Sequence, residues 1–287
     1  MSVSFGVVSQ EPLDSPLEPQ QVFARMIEAN RDLAYSGLLA YERAGQLATY
    51  KIESQIEGDG SQSLSSLNRA LPIQTHSLLC QDSQEQSTSA LQNLENLYNF
   101  YRPAESMVAG RETMELLMLP VDGNRYGYGF SVDRENYLPL RTVVLTPRRE
   151  PLERYEFVAI EFLELPPTQA QVPGDCPEIE NQPLSWSAEV LPRGFVTTRS
   201  GFDPETNVSH MVVSDGLATI SISIEPIEAP SFPPVTTDLG ATNILLSYLS
   251  YRQQIYLATL VGEVPLESLE QIVTGLSYKV NDAESER

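Results

Sequence analysis

The side chains that could carry acid–base, nucleophilic or metal chemistry are few and poorly placed for it. The chain has two histidines, His76 and His210. No His-x-x-x-His or His-x-His pair can be built from them, which removes the usual zinc sites. His210 sits beside Met211 in a strand-like run and reads as an ordinary exposed or satisfied histidine. The two cysteines, Cys80 and Cys176, lie far apart and fit no compact zinc or redox motif. In an oxidising compartment they could form a disulfide, which would close a long loop; pairing and two free thiols both stay open. Acidic neighbours such as Glu153/Glu156 and Glu161/Glu164 have the look of a glycosidase pair. With 39 acidic residues in the chain, coincidence accounts for them. There is no Gly-x-Ser-x-Gly elbow and no Gly-x-Gly-x-x-Gly loop. Gly127-Tyr128-Gly129 falls inside a strand pattern, where glycine marks a bend or close packing. The expectation is therefore a protein that is not an enzyme, with no catalytic residue, no metal and no cofactor.

Charge narrows the partners. The formal charge is −21 over 287 residues, so nucleic acid would be repelled. The one basic cluster, Arg148, Arg149 and Arg154, sits among Glu150, Glu153 and Glu156. The only lysines are Lys51 and Lys279, too few for much Schiff-base or P-loop chemistry. No apolar run approaches the roughly 18 residues needed to cross a bilayer. Met1–Gly6 has no basic residue and no apolar stretch, so it is not a signal peptide. A cytosolic protein and a mature form with its leader removed both fit.

The elements that must position any site are mostly strands. Residues 1–19 read as a flexible leader. A helix is expected over Gln20–Leu33, with Val22, Phe23, Met26, Ile27 and Leu33 on one face. A hairpin follows, Ala34–Tyr41 and Gln46–Ile56, turning at Arg43-Ala44-Gly45. Residues 61–90 are ambiguous. Leu91–Tyr101 has helical spacing and stops at Pro103. Strands are then expected over Glu105–Gly110, Thr113–Leu119, Arg125–Val132, Leu138–Thr146 and Leu152–Leu163, in an antiparallel sheet that curls or closes. A Pro-rich linker, 166–183, separates residues 20–165 from a second domain, 184–282. There the strands are Phe195–Arg199, Val208–Val213, Ala218–Glu225 and a central Ile255–Val261. An irregular loop spans 226–239, and a helix opens at Pro265.

With chemistry absent, apolar and aromatic side chains on neighbouring strands become the candidate site. Leu39, Tyr41, Met114, Leu116, Tyr126, Tyr128 and Phe130 could simply be core; together their Met and Tyr content suits a pocket for apolar ligands.

Several strings in register resemble the MucB/RseB family of periplasmic negative regulators of the envelope-stress sigma factor. In the first domain they are Tyr35–Tyr41, Leu47–Glu53, Val108–Glu112, Arg125–Asp133, Leu138–Arg141 and Leu152–Phe157. In the second they are Leu191–Phe195, Val213–Ala218, Gly240–Asn243 and Gly262–Pro265. The segment Ser61–Ala90 matches poorly, and the charge is unusually acidic. The resemblance implies an α+β, mostly antiparallel fold: a LolA-like half-open β-barrel with capping helices, plus a smaller α+β C-terminal domain. It implies a mature periplasmic protein that binds the periplasmic domain of an anti-sigma factor of the RseA or MucA type. That segment would be shielded from proteolysis until lipid or lipopolysaccharide fragments displace the regulator. The oligomeric state, a homodimer or a higher oligomer, is left open. On this reading the seven apolar residues line the lipid pocket and Phe195, Phe202 and Tyr248 contact the partner. Arg111, Arg125 and Arg141 would meet anions. The alternative is a lipid or lipoprotein carrier of the LolA type.

Overall fold

The computed structural model describes residues 17–54, 62–66, 72–73, 93–163 and 185–279. His76, Cys80, Cys176 and the expected linker 166–183 lie outside the described residues.

Helix α1 spans Pro19–Asp32. Pro19 stands at its first turn, where a missing N–H costs nothing. Glu18 and Gln21 form a capping box, the Glu18 N–H donating to Gln21 Oε1 at 3.0 Å. Its stripe of Val22, Phe23, Met26 and Ala29 is buried.

Strands β1 (Tyr35–Arg43) and β2 (Gln46–Ser54) pair with Arg43 opposite Gln46. The two turn residues, Ala44 and Gly45, have φ of 50° and 73°. That is the turn whose twist matches the strands it joins. β3 (Gln62–Ser66) and β4 (Pro72–Ile73) extend this edge.

The helix expected over Leu91–Tyr101 is shorter. Residues 93–97 form α2, and β5 (Tyr98–Tyr101) follows directly. Leu94, Leu97 and Tyr98 are buried as the helical spacing requires. From Tyr98, however, the chain pairs with β7, and this tertiary contact overrides local preference.

β6 (Glu105–Val108), β7 (Arg111–Pro120), β8 (Gly127–Asp133), β9 (Pro139–Leu145) and β10 (Pro151–Phe162) complete the first sheet. Its order is β4-β3-β2-β1-β10-β9-β8-β7-β5, antiparallel, with β6 also on β7. Its ends are not paired to each other among the described residues.

In the second unit β11 (Trp186–Ala188) pairs with β18 (Leu276–Tyr278). A six-stranded sheet runs β12 (Val196–Asp203), β13 (Val208–Ser214), β14 (Thr219–Ile227), β17 (Gln254–Gly262), β16 (Thr242–Tyr251), β15 (Val235–Leu239). β17 is central, as its two-sided apolar run demands. Helix α3 (Leu266–Thr274) buries Leu269 and Ile272 against this sheet. The expected loop 226–239 is corrected at its end, where β15 is an edge strand with all five residues exposed. No side chain there faces a core, so no periodicity marks it.

Candidate binding face and domain joint

The pairing register settles which side chains share a face of the first sheet. One line runs across β7, β8, β9, β10, β1 and β2 through Leu116, Phe130, Thr142, Tyr155, Tyr41 and Ala48. The next line runs through Met118, Tyr128, Val144, Glu153 and Arg43. Met114 lies two residues before Leu116 on β7, opposite Val132, and Leu39 lies opposite Phe157 and Tyr50. Six of the seven expected pocket residues thus lie on one face, because each strand alternates in phase with its neighbour.

The two ends of that face differ. Beside α1, Phe23 packs on Phe100 and Phe130 at centroid distances of 5.7 and 6.3 Å, and Tyr128 stacks on Phe130. Met114, Leu116, Tyr128 and Phe130 are buried there and make core. At the β10–β1–β2 end Tyr155 is 37% exposed, and Leu39, Tyr41 and Tyr50 are half-buried. The open aromatic surface is therefore carried by Leu39, Tyr41, Tyr50 and Tyr155. Tyr126, the seventh residue, precedes β8 and is buried in the same core cluster as Tyr128 and Phe130. Its hydroxyl accepts a hydrogen bond from Asn243 Nδ2 at 2.8 Å, across the boundary between the two sheets.

That boundary is a built joint. Leu217 and Ala241, from turns of the second unit, pack into the core cluster of the first. Arg125 is fully buried and donates to Asp122, to the Arg193 carbonyl oxygen, and through Nη1 to Asp215 Oδ2 at 2.6 Å. The rings of Tyr98 and Phe195 lie 5.9 and 5.3 Å from its guanidinium carbon. Burial pushes the Asp215 carboxyl up, opposed by the Leu217 and Ala218 amides and by the Arg125 guanidinium. Ser268 donates to the Asn124 carbonyl at 2.8 Å, and the Ala241 N–H donates to Glu153 Oε1 at 2.7 Å. Gly194, at φ 85°, passes so close to Leu97 that an added Cβ would stand 2.6 Å from it.

Of the three arginines expected to meet anions, the burial of Arg125 contradicts the expectation, while Arg111 and Arg141 are engaged but part-exposed. Arg125 is sealed in the joint. Arg111 is taken by Asp133 and Glu135, and Arg141 by Glu115, Ser131 and Ser106. Burial alone would raise the Asp133 carboxyl, but Arg111 and the amides of Asn136 and Glu135 hold it below its ordinary value. The partner-contact expectation divides. Phe195 is buried beneath Arg125 and so cannot present itself to a partner. Phe202 is 40% exposed on the edge strand β12. Tyr248 lies on β16, separated from β12 by three strands, and donates to the Phe232 carbonyl at 2.7 Å. These three residues do not form one surface.

Glu263 directly follows β17, near Glu153 and Arg43. Burial and then the charge of Glu153 push its carboxyl above its ordinary value, while Arg43 pulls it down. A carboxyl raised in the folded state favours folding when protonated: its contribution is present below the ordinary glutamate range and is lost as pH rises through the raised value. Glu263→Gln is therefore expected to raise Tm at neutral pH. The gain should fade as pH falls through that window. Because Glu263 remains accessible to water, screening keeps the effect small. Thermal melts at stepped pH values measure it; a gain that grows toward acid would reverse the assignment.

The MucB/RseB N-terminal domain model matches residues 73–184, and the MucB/RseB C-terminal domain model matches 180–277. The sigma factor AlgU regulatory protein MucB of Pseudomonas aeruginosa is 28% identical over 302 residues, 94% of each chain. The Escherichia coli sigma-E factor regulatory protein RseB is 25% identical over 63% of this chain and 59% of its own length. A crystal structure of MucB in complex with MucA(peri) superposes with a TM-score of 0.71 at 28% identity, covering 92% of this chain and all of that one. A crystal structure of MucB superposes with a TM-score of 0.63 at 27% identity over 91% of this chain and 98% of that one. With both domain models matched in order and the fold shared along the chain, this protein belongs to the MucB/RseB family.

Proposed function

We propose that this chain is a periplasmic sigma-factor regulator that binds the periplasmic segment of a MucA-type anti-sigma factor and shields it from proteolysis. Lipid or lipopolysaccharide fragments seated on the aromatic face would release the segment. The observation that carries this reading is likeness over 92% of the chain to a MucB crystallised with MucA(peri). A binding regulator needs two sites of different affinity on a body with two states, and no reacting group. The half-open row of Leu39, Tyr41, Tyr50 and Tyr155 supports the lipid arm. Arg111, Arg125 and Arg141 are engaged by carboxylates, so acyl chains, more than anionic headgroups, would supply the affinity. The division into 20–165, linker 166–183 and 184–282 is part of the same proposal.

Titration calorimetry of the chain with the periplasmic domain of a MucA-type anti-sigma factor tests it. Saturable one-to-one binding is expected, weakened by a medium-chain phospholipid below its micelle concentration. No binding heat and no competition in a pull-down would overturn the reading. Amphiphile uptake without partner binding would instead favour a lipid carrier.

A further inference from the structure

The aromatic face and the joint share one side chain, Glu153 on β10. Its Oε2 accepts the Tyr41 hydroxyl proton at 2.6 Å, and Tyr41 stands on the open aromatic surface. Its Oε1 accepts the Ala241 amide at 2.7 Å, and Ala241 belongs to the β15–β16 turn of the second unit. The carboxylate is itself buried, 8% exposed, although Arg43 approaches only to 4.0 Å. Its negative charge is therefore held chiefly by these two short hydrogen bonds, which in a low-dielectric site are stronger than neutral ones.

The turn is shaped to receive it. Gly240 adopts φ 65°, and any Cβ there would overlap the Glu153 carboxylate and the Arg43 stem. Only glycine lets the backbone come so near. Ala241 then sits buried in the core cluster of the first unit. One carboxylate thus joins the Tyr41 hydroxyl to the backbone of the other domain, with no gap wider than a hydrogen bond.

We propose that Glu153 couples the aromatic face to the domain joint, so that an amphiphile displacing Tyr41 loosens the Gly240–Ala241 turn and alters how the two domains present themselves to the partner. This rests on the lipid-sensing reading above and supplies its route. An occupant that turns Tyr41 away strips the carboxylate of one donor, and the remaining charge must draw in water or Arg43. Either change weakens the seat of Ala241. Tyr41, Arg43, Tyr126, Tyr155 and Glu263 are the other ionisable groups facing this carboxylate. Reciprocity follows: a partner that favours the tightened joint must weaken amphiphile binding by the same factor.

Amide hydrogen exchange at Ala241, read by NMR on the whole chain, tests the coupling without any partner. Tyr41→Phe keeps the ring and removes only the hydroxyl. Without ligand it is expected to speed Ala241 exchange about fivefold or more, the low end of typical site-to-site coupling, while amides in the β7–β8 ladder stay unchanged. Wild type with a short-chain phospholipid below its micelle concentration should show the same local rise, and Tyr41→Phe should show no further rise. Unchanged exchange in ligand-free Tyr41→Phe overturns the coupling. If that variant responds but the phospholipid leaves wild type unchanged, the lipid-sensing reading fails while the Glu153 bridge stands. Gly240→Ala gives a second route to the same amide: it too should raise Ala241 exchange, and protection equal to wild type would contradict the seat described.

Discussion

Replacing Arg125 by Met is expected to lower the unfolding free energy by about 3–5 kcal/mol, the usual consequence of leaving a buried charge without its partner. Asp215 is as deeply buried as Arg125, and no water reaches either side chain. Without the guanidinium its carboxylate keeps only backbone amides, chiefly those of Leu217 and Ala218. The Arg193 carbonyl loses its donor, and the Tyr98 and Phe195 rings lose the cation between them. Domains are stable by only about 5–15 kcal/mol, so the loss is a large fraction of the whole. It also falls at one place, the joint. Trp186, the only tryptophan, packs in the core of the second unit and reports that unit alone. In wild type, tryptophan fluorescence and far-UV circular dichroism should trace one urea transition. In Arg125→Met they should separate. Adding Asp215→Leu should recover much of the loss, because apolar replacement of a complete buried pair is often neutral. Coincident transitions of unchanged midpoint in the single variant would show that the pair does not hold the joint.

Leu116→Asn is expected to cost about 3–5 kcal/mol, combining the loss of a buried leucine with an amide placed where nothing accepts it. Leu116 is 2% exposed and packs within the cluster that α1 closes with Val22, Phe23 and Met26. A polar change there damages the fold before it reports on any ligand. Tyr155→Ser, at the more open end of the same line, should lower Tm less than Leu116→Asn and reduce amphiphile uptake. Thermal melting of the two variants side by side distinguishes core from face. Equal stability would mean that the buried end is as solvent-accessible as the open one.

What the sequence made legible follows the physics of each element. The α1 stripe and the Ala44-Gly45 turn were readable because periodicity and positive-φ chemistry are local. The strands of β7 to β10 were readable from alternation and turn residues, and their phase relation could not be, since register belongs to pairs of strands. That register is what gathers Leu39, Tyr41, Met114, Leu116, Tyr128 and Phe130 on one face. Burial along the face then separates core from open surface, a distinction invisible in composition. The exposed edge strand β15 left no signal, and the helical spacing of Leu94, Leu97 and Tyr98 ran on into β5. The partners of the arginines were not legible because they come from elsewhere in the chain: Arg111, Arg125 and Arg141 each find a carboxylate from a distant segment, and Arg125 is sealed by it. Five of the strings that carried the family resemblance are Arg125–Asp133, Leu191–Phe195, Val213–Ala218, Gly240–Asn243 and Gly262–Pro265. All of them supply residues to the joint: Arg125 and Tyr126, Arg193 and Phe195, Asp215 and Leu217, Gly240, Ala241 and Asn243, and Glu263. Glu153, which bridges that joint to the aromatic face, lay within the resemblance string Leu152–Phe157, but nothing local in the sequence showed its partners Tyr41 and Ala241.

On the proposed function, both domains together guard an anti-sigma segment, and an amphiphile on the aromatic face ends the protection. The most direct measurement of this is the rate at which a site-specific protease cleaves the periplasmic domain of a MucA-type anti-sigma factor. The chain at saturating concentration is expected to slow cleavage at least about tenfold, equivalent to about 1.4 kcal/mol of protection. A phospholipid below its micelle concentration should restore the unprotected rate. Cleavage at the same rate with and without the chain would contradict the account.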